Sequence, residues 1–162
     1  RGTNTGAPAD DIDGNRRPFM GTVDLGADEF TGHHRLEADK FSMVTGGGTV
    51  DLQVDAGTEN AGRGYLVAAG LTGSSPGILL PGSLATLPVN LDLFSYDILF
   101  PNINTGLFQN FMGTLDLSGT ANPTLNSRPL PPDLVGVKIC MAYCLDWPWE
   151  FVSNPVEVEV VP

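Results

Sequence analysis

The chain is poor in positive charge. Eight Lys and Arg stand against nineteen Asp and Glu, for a net charge of −11 at pH 7. Such a field repels phosphate backbones and anionic lipid, which argues against nucleic acid and membrane surfaces as partners. Long apolar runs are also missing: no stretch approaches the roughly 20 residues needed to span a bilayer. No long window holds a helical period. The two histidines are the adjacent pair His33-His34. Neighbouring residues point in different directions, whereas a transition-metal site needs three or four converging ligands. No Ser or Cys is paired with a positioned base, so nucleophilic catalysis has no support. The many carboxylates offer no pair singled out as a glycosidase requires. The expectation is a non-enzymatic chain. No signal segment opens it, and a start at Arg1 rather than Met implies a removed upstream segment or a larger parent.

Cysteine is scarce as well, with only Cys140 and Cys144, spaced as C-x3-C, which matches no metal or redox motif. Both fall in an expected strand, where residues four apart share a face at about 13 Å. A disulfide needs Cα atoms within roughly 7 Å, so a bridge between them requires a bend. Three readings stand: two core cysteines acting as small apolar residues, an intrachain bridge across a turn, and intermolecular pairing.

What is abundant is turn chemistry. Twenty Gly and thirteen Pro punctuate short apolar runs, while 41% hydrophobic content is too high for a disordered chain. That is the pattern of an all-β protein. Phe41-Ser42-Met43-Val44 reads as a short strand ending at Gly46-Gly47-Gly48. Val50, Leu52 and Val54 alternate with Asp51, Gln53 and Asp55, giving a strand with one wet face. Residues 56–62 read as a turn, and Tyr65 to Ala69 as a strand central in its sheet. Gly73 to Pro88 is a long connection around Ile78-Leu79-Leu80, of the kind that crosses between sheets or carries function. Leu91 to Phe100 reads as a short helix capped by Asp92, with Phe94, Ile98 and Phe100 packing, or else as a strand. Phe108 to Leu117 leads into a strand with Phe111, Leu115 and Leu117, a hairpin turn follows at 116–121, and the short return strand ends before Asn126. Pro129 to Pro132 is an extended connector, Leu134 to Leu145 the longest β run, and Val156 to Val160 a final strand with one acidic face. About seven short strands imply a two-sheet antiparallel β-sandwich, Greek-key or Ig-like, over 41–162. Residues 1–40 form an extended N-terminal arm ahead of it. The echoes at Gly21-Thr22-Val23, Gly48-Thr49-Val50 and Gly113-Thr114-Leu115 are separated by dissimilar segments and read as convergent strand openings.

The arm carries one strand, with Phe19, Val23 and Leu25 on one face. Before it, Asp11, Asp13 and Asn15 have the opening spacing of a calcium loop, but Arg16 and Thr22 stand where an EF-hand needs Gly and Glu. A looser Ca²⁺ site including Asp10 is the remaining cofactor candidate. The plainer reading is turn residues bonded to their own backbone. Near the other end, Trp147 and Trp149 share one side of an extended segment at about 6 to 7 Å. With Tyr143 beside them they make a candidate platform for stacking sugar rings, the alternative being rings that close one end of the sandwich.

Asp11 to Asn15, Arg17-Pro18 and Val23 to Phe30 resemble the closing coil of right-handed parallel β-helix proteins secreted by bacteria. The remainder, through Gly46-Gly47-Gly48, Ser74-Ser75-Pro76-Gly77 and Ser153-Asn154-Pro155, is similar to a β-sandwich domain at the C-termini of large bacterial surface proteins. The resemblance implies an extracellular, cell-surface location. It lacks the stacked coils that should precede such an ending, so the Phe19/Val23/Leu25 face must be covered by the sandwich, by another copy of the chain or by an upstream part. Two functions are therefore expected. One is a structural module that self-associates into filaments by donating the arm strand, or that covers the arm with a preceding domain. The other is a carbohydrate-binding module using Tyr143, Trp147 and Trp149 on a polysaccharide.

Overall fold

Alternation of apolar and charged side chains produces the best-defined strands. The computed structural model describes residues 35–82, 85–146 and 148–162, within a unit running from His34 to Pro162. In chain order the strands are β1 (Arg35–Ala38), β2 (Ser42–Val44), β3 (Gly48–Asp55), β4 (Gly64–Gly70), β5 (Ile78–Leu79) and β6 (Thr86–Leu87). They continue as β7 (Phe108–Gln109), β8 (Met112–Thr114), β9 (Thr120–Ala121), β10 (Thr124–Ser127), β11 (Lys138–Leu145) and β12 (Val156–Val161). The described residues are all-β, with several antiparallel sheets, one curled as a half-barrel. One sheet has the order β1-β3-β10-β7 with β9 also on β3, the other β2-β12-β11-β4-β8, and β5-β6 form a small ladder.

Val50, Leu52 and Val54 of β3 are buried, as are Val156, Val158 and Val160 of β12, while the acidic residues between them stay wet. These side chains meet Tyr65, Val67, Met141 and Tyr143 in one core drawn from both sheets. Burying each aliphatic side chain contributes about 1.5–3 kcal/mol. Strand β11 breaks the alternation because both of its faces are covered. On its outer face Ala68, Cys140, Ala142 and Cys144 are packed by Leu80, Leu87 and Val89. The long connection after Gly73 therefore lies over the second sheet, and its small ladder presents those apolar side chains.

Several expectations change. The boundary expected at Lys40 falls earlier, because Arg35–Ala38 pairs with β3, Arg35 opposite Asp55. With one buried side chain, Leu36, the segment has too little pattern to read as a strand. Pairing is not wholly antiparallel: β2 runs parallel to β12, with Met43 opposite Val160. The strand expected to reach Leu117 ends at Thr114, and Leu117 lies in the turn, 93% exposed. The Asp116 carboxylate accepts from the Ser118 and Thr120 amides and from the Thr120 hydroxyl, which turns the chain before Leu117 can face the core. The return strand β10 runs on to Ser127, and the longest run begins at Lys138 rather than Leu134.

The 91–100 segment is helical. The Asp92 carboxylate accepts from the Phe94 and Ser95 amides at 3.0 and 3.3 Å, capping the turn. Ser95–Leu99 then form a π turn, in which the Phe100 N–H reaches back to the Ser95 carbonyl. That wider turn shifts the inward face, so Leu99 is fully buried and Ile98 is 43% exposed. Phe94 packs edge-on against Phe108 at 6.1 Å, closing one end of the core.

Candidate functional site

Tyr143 does not belong to an exposed aromatic platform. Tyr143 is fully buried in the core between the sheets. Its hydroxyl donates to the Asp55 carbonyl at 2.8 Å and its ring stacks on Phe151 at 5.6 Å. Burial first, then the charges of Asp55 and Glu59, push its pKa far above the usual phenol range. Trp149 is half-buried against the other cluster, beside the cysteines, on the opposite face of the second sheet from Tyr143. Trp147 lies outside the described residues. So do the arm-strand residues Phe19, Val23 and Leu25, the calcium candidates Asp11, Asp13 and Asn15, and His33-His34.

Cys140 and Cys144 are free, buried thiols on one continuous strand. They sit where the covering connection comes closest, among alanines, which explains why small apolar side chains are needed there. Burial, then the Glu157 charge, pushes Cys140 up to about 11. Burial likewise pushes Cys144 up to about 11. Neither is poised as a nucleophile. Among the described residues no group of three or more His, Cys, Asp or Glu is placed to hold a metal, and no helix is long and apolar enough to cross a membrane.

The chemistry that does organise itself is at the sheet edges. A strand edge presents unpaired N–H and C=O groups that can accept another strand. On β1 the outward-facing residue Leu36 is closed by a side chain. Its N–H donates to the Asn154 Oδ1 at 2.9 Å, and its carbonyl accepts from the Asn154 Nδ2 at 3.1 Å. The amide of Asn154 thus stands in for one rung of a neighbouring strand. Asn104 repeats the device on β8: Met112 N–H donates to its Oδ1 at 3.2 Å, and its Nδ2 donates to the Met112 carbonyl at 2.7 Å. The Asn104 backbone N–H also donates to the Phe108 carbonyl at 2.8 Å, covering the β7 edge. One residue therefore closes an edge in each sheet. Its φ of 56° is left-handed, a conformation asparagine tolerates better than most side chains.

The outer edge of β2 has no such plug among the described residues. The Glu159 N–H donates to the Phe41 carbonyl at 3.0 Å and the Thr45 N–H to the Val161 carbonyl at 2.9 Å. Alternation then turns the backbone groups of Ser42 and Val44 away from β12. The Gly47 N–H occupies the Val44 carbonyl at 3.0 Å. Ser42 is left facing outward, between Phe41 at 67% and Val44 at 48% exposure. Next to this edge β12 exposes Glu157 and Glu159. Lys138 reaches Glu157 at 3.4 Å, while Glu159 has no ion pair among the described residues. The Asn154 plug escapes sequence reading because an amide pairing with a strand 118 residues away leaves no local signal. No family model, no curated protein and no solved structure matches the chain.

Proposed function

We propose that the chain is a non-enzymatic assembly module of an extracellular bacterial surface protein. In this reading the arm strand of one copy, carrying Phe19, Val23 and Leu25, adds to the outer edge of β2 in another. The observation that carries it is selective closure: three edges have an outward rung covered by asparagine, and among the described residues the β2 edge does not. Leaving an edge open beside exposed Phe41 and Val44 makes sense if a strand is to be received there. Charge supports the same pairing, because Arg16 and Arg17 precede Phe19 in the arm while Glu159 stands beside the acceptor edge. Donation from each copy to the next is head-to-tail, so it extends into filaments unless the rotation closes a ring. The associated fold is a two-sheet, predominantly antiparallel sandwich of Greek-key type, supported by the single core that both sheets share. The carbohydrate-binding alternative has no comparable support, since Tyr143 offers no accessible ring face.

Light scattering and electron microscopy of residues 1–162, of the chain lacking residues 1–34, and of Ser42→Pro test the reading. The Ser42 N–H makes no bond to β12, so proline there removes the acceptor rung while sparing the ladder. The intact chain is expected to associate with rising concentration, and both variants to stay monomeric with an unchanged Tm. A concentration-independent monomer for the intact chain would sink the proposal.

A further inference from the structure

We propose that the cleft beside Arg128 binds an amphipathic carboxylate, with its charged end on the Arg128 guanidinium and its apolar body against Leu107 and Leu130. The cleft has a volume of about 680 Å³ and runs between the 102–107 segment and the end of β10. That is within the range of about 300–1,000 Å³ usual for small-molecule sites. The chain has nineteen acidic residues, and among the described residues none of them lines this cleft. Its polar surface comes from Asn102, Thr105, Asn126, Ser127 and Arg128.

Arg128 is unusual among the described cations. Arg35 pairs with Glu37, Lys40 with Asp39 and Lys138 with Glu157. Arg63 is spent on the Asn60 side chain and the Asp146 and Pro148 carbonyls. Arg128 has no ion pair or hydrogen bond of its own among the described residues, which leaves a planar fork of donors free for a carboxylate. A second observation is independent of it. Ser127, 8% exposed, has a buried hydroxyl with no hydrogen-bond partner. Orphaned buried polar atoms are rare in folded proteins, and because Ser127 lines the cleft, a turn about its Cα–Cβ bond would bring this hydroxyl to a polar ligand atom there.

The apolar half of the ligand follows from what lies behind. Leu107, Ser127 and Leu130 also line a second, purely apolar cavity of about 140 Å³, which reaches in to Met43, Phe108 and Ile139. The polar cleft and the apolar cavity therefore share a wall. The wall is held by backbone rather than by free loop. The Asn126 N–H donates to the Leu107 carbonyl and the Leu130 N–H to the Thr45 carbonyl, both at 2.8 Å. Gly47, at a φ of +89°, packs so closely on Ser127, Arg128 and Pro129 that a Cβ would meet their backbone at 3.0 Å.

Sodium octanoate and 1-octanol titrated into the intact chain, followed by amide chemical shifts, separate charge from hydrophobicity. Octanoate is expected to saturate with shifts at Leu107, Ser127 and Arg128, and octanol to bind at least about tenfold more weakly. Arg128→Gln is expected to lose about the same factor with an unchanged Tm, because the side chain is exposed and unpaired. Arg128→Lys should fall between. A tetrapeptide ending in a free leucine carboxylate, beside its C-terminal amide, distinguishes the peptide source of this chemistry from the free acid by which carboxylate binds tighter. Equal binding of octanol and octanoate overturns the proposal. So does wild-type affinity in Arg128→Gln, or no saturation by either carboxylate. Unchanged light scattering in Arg128→Gln keeps this outcome separate from that of the assembly reading.

Discussion

At the scale of single residues, the two cysteines show how burial sets reactivity. Their thiols stay neutral in the folded protein up to about pH 11, whereas in the unfolded chain they ionise near the ordinary value of about 8.5. A folded pKa raised above the unfolded one contributes stability that is complete below pH 8.5 and is lost as pH rises towards 11. Tm is therefore expected to fall across that window, and to fall less in the Cys140→Ala/Cys144→Ala variant. Iodoacetamide at pH 8 should leave both thiols unmodified until urea unfolds the chain. Rapid alkylation of the native protein contradicts the burial described for them. Among the three readings open from sequence, the small-apolar role is the one their surroundings suit, since Ala68 and Ala142 share the same tight face. The stacking platform misled for a related reason. Proximity in sequence put Tyr143 with the tryptophans, but alternation along β11 turns Tyr143 to one face of the sheet and Cys144 to the other.

At the scale of elements, the asparagine plugs carry a prediction. Asn154→Ala and Asn104→Ala each uncover an edge rung, at a stability loss of about 1–2 kcal/mol from two hydrogen bonds. The double variant is expected to form disordered aggregates even without residues 1–34, because two further edges are then available. Urea melts combined with light scattering check both halves, and a double variant that remains a monomer shows that the plugs do not guard the edges. Strands with one wet face were legible in the sequence: β3 and β12 announce themselves through valines alternating with Asp and Glu. The 91–100 helix was legible through its Asp92 cap, although the π turn moved its buried face from Ile98 to Leu99. Strand β1 was not, since four residues with a single buried leucine derive their conformation from β3 and Asn154 rather than from their own pattern. The candidate edge was invisible for a similar reason. An open edge is defined by what fails to pair with it, and only the complete ladder shows that.

At the scale of the whole molecule, the order of folding follows from which strands meet. The ladder between β2 and β12 joins residues more than a hundred positions apart, Ser42 opposite Glu159. Loop-closure entropy delays such contacts until nearer ones have formed. In refolding with pulsed hydrogen exchange, the Thr45 and Glu159 amides are expected to gain protection after those of the β4–β11 ladder. Simultaneous protection removes the argument. The parallel pairing of β2 with β12 then acts as a clock. The β2 edge, with Ser42 and Val44 turned outward, has no backbone to rest on until Val156–Val161 has been synthesised and has docked against β11. In the proposed assembly, a subunit in which β12 is not yet docked could offer a donor strand but not a receiving one, so growth at that edge would begin only with β12 in place.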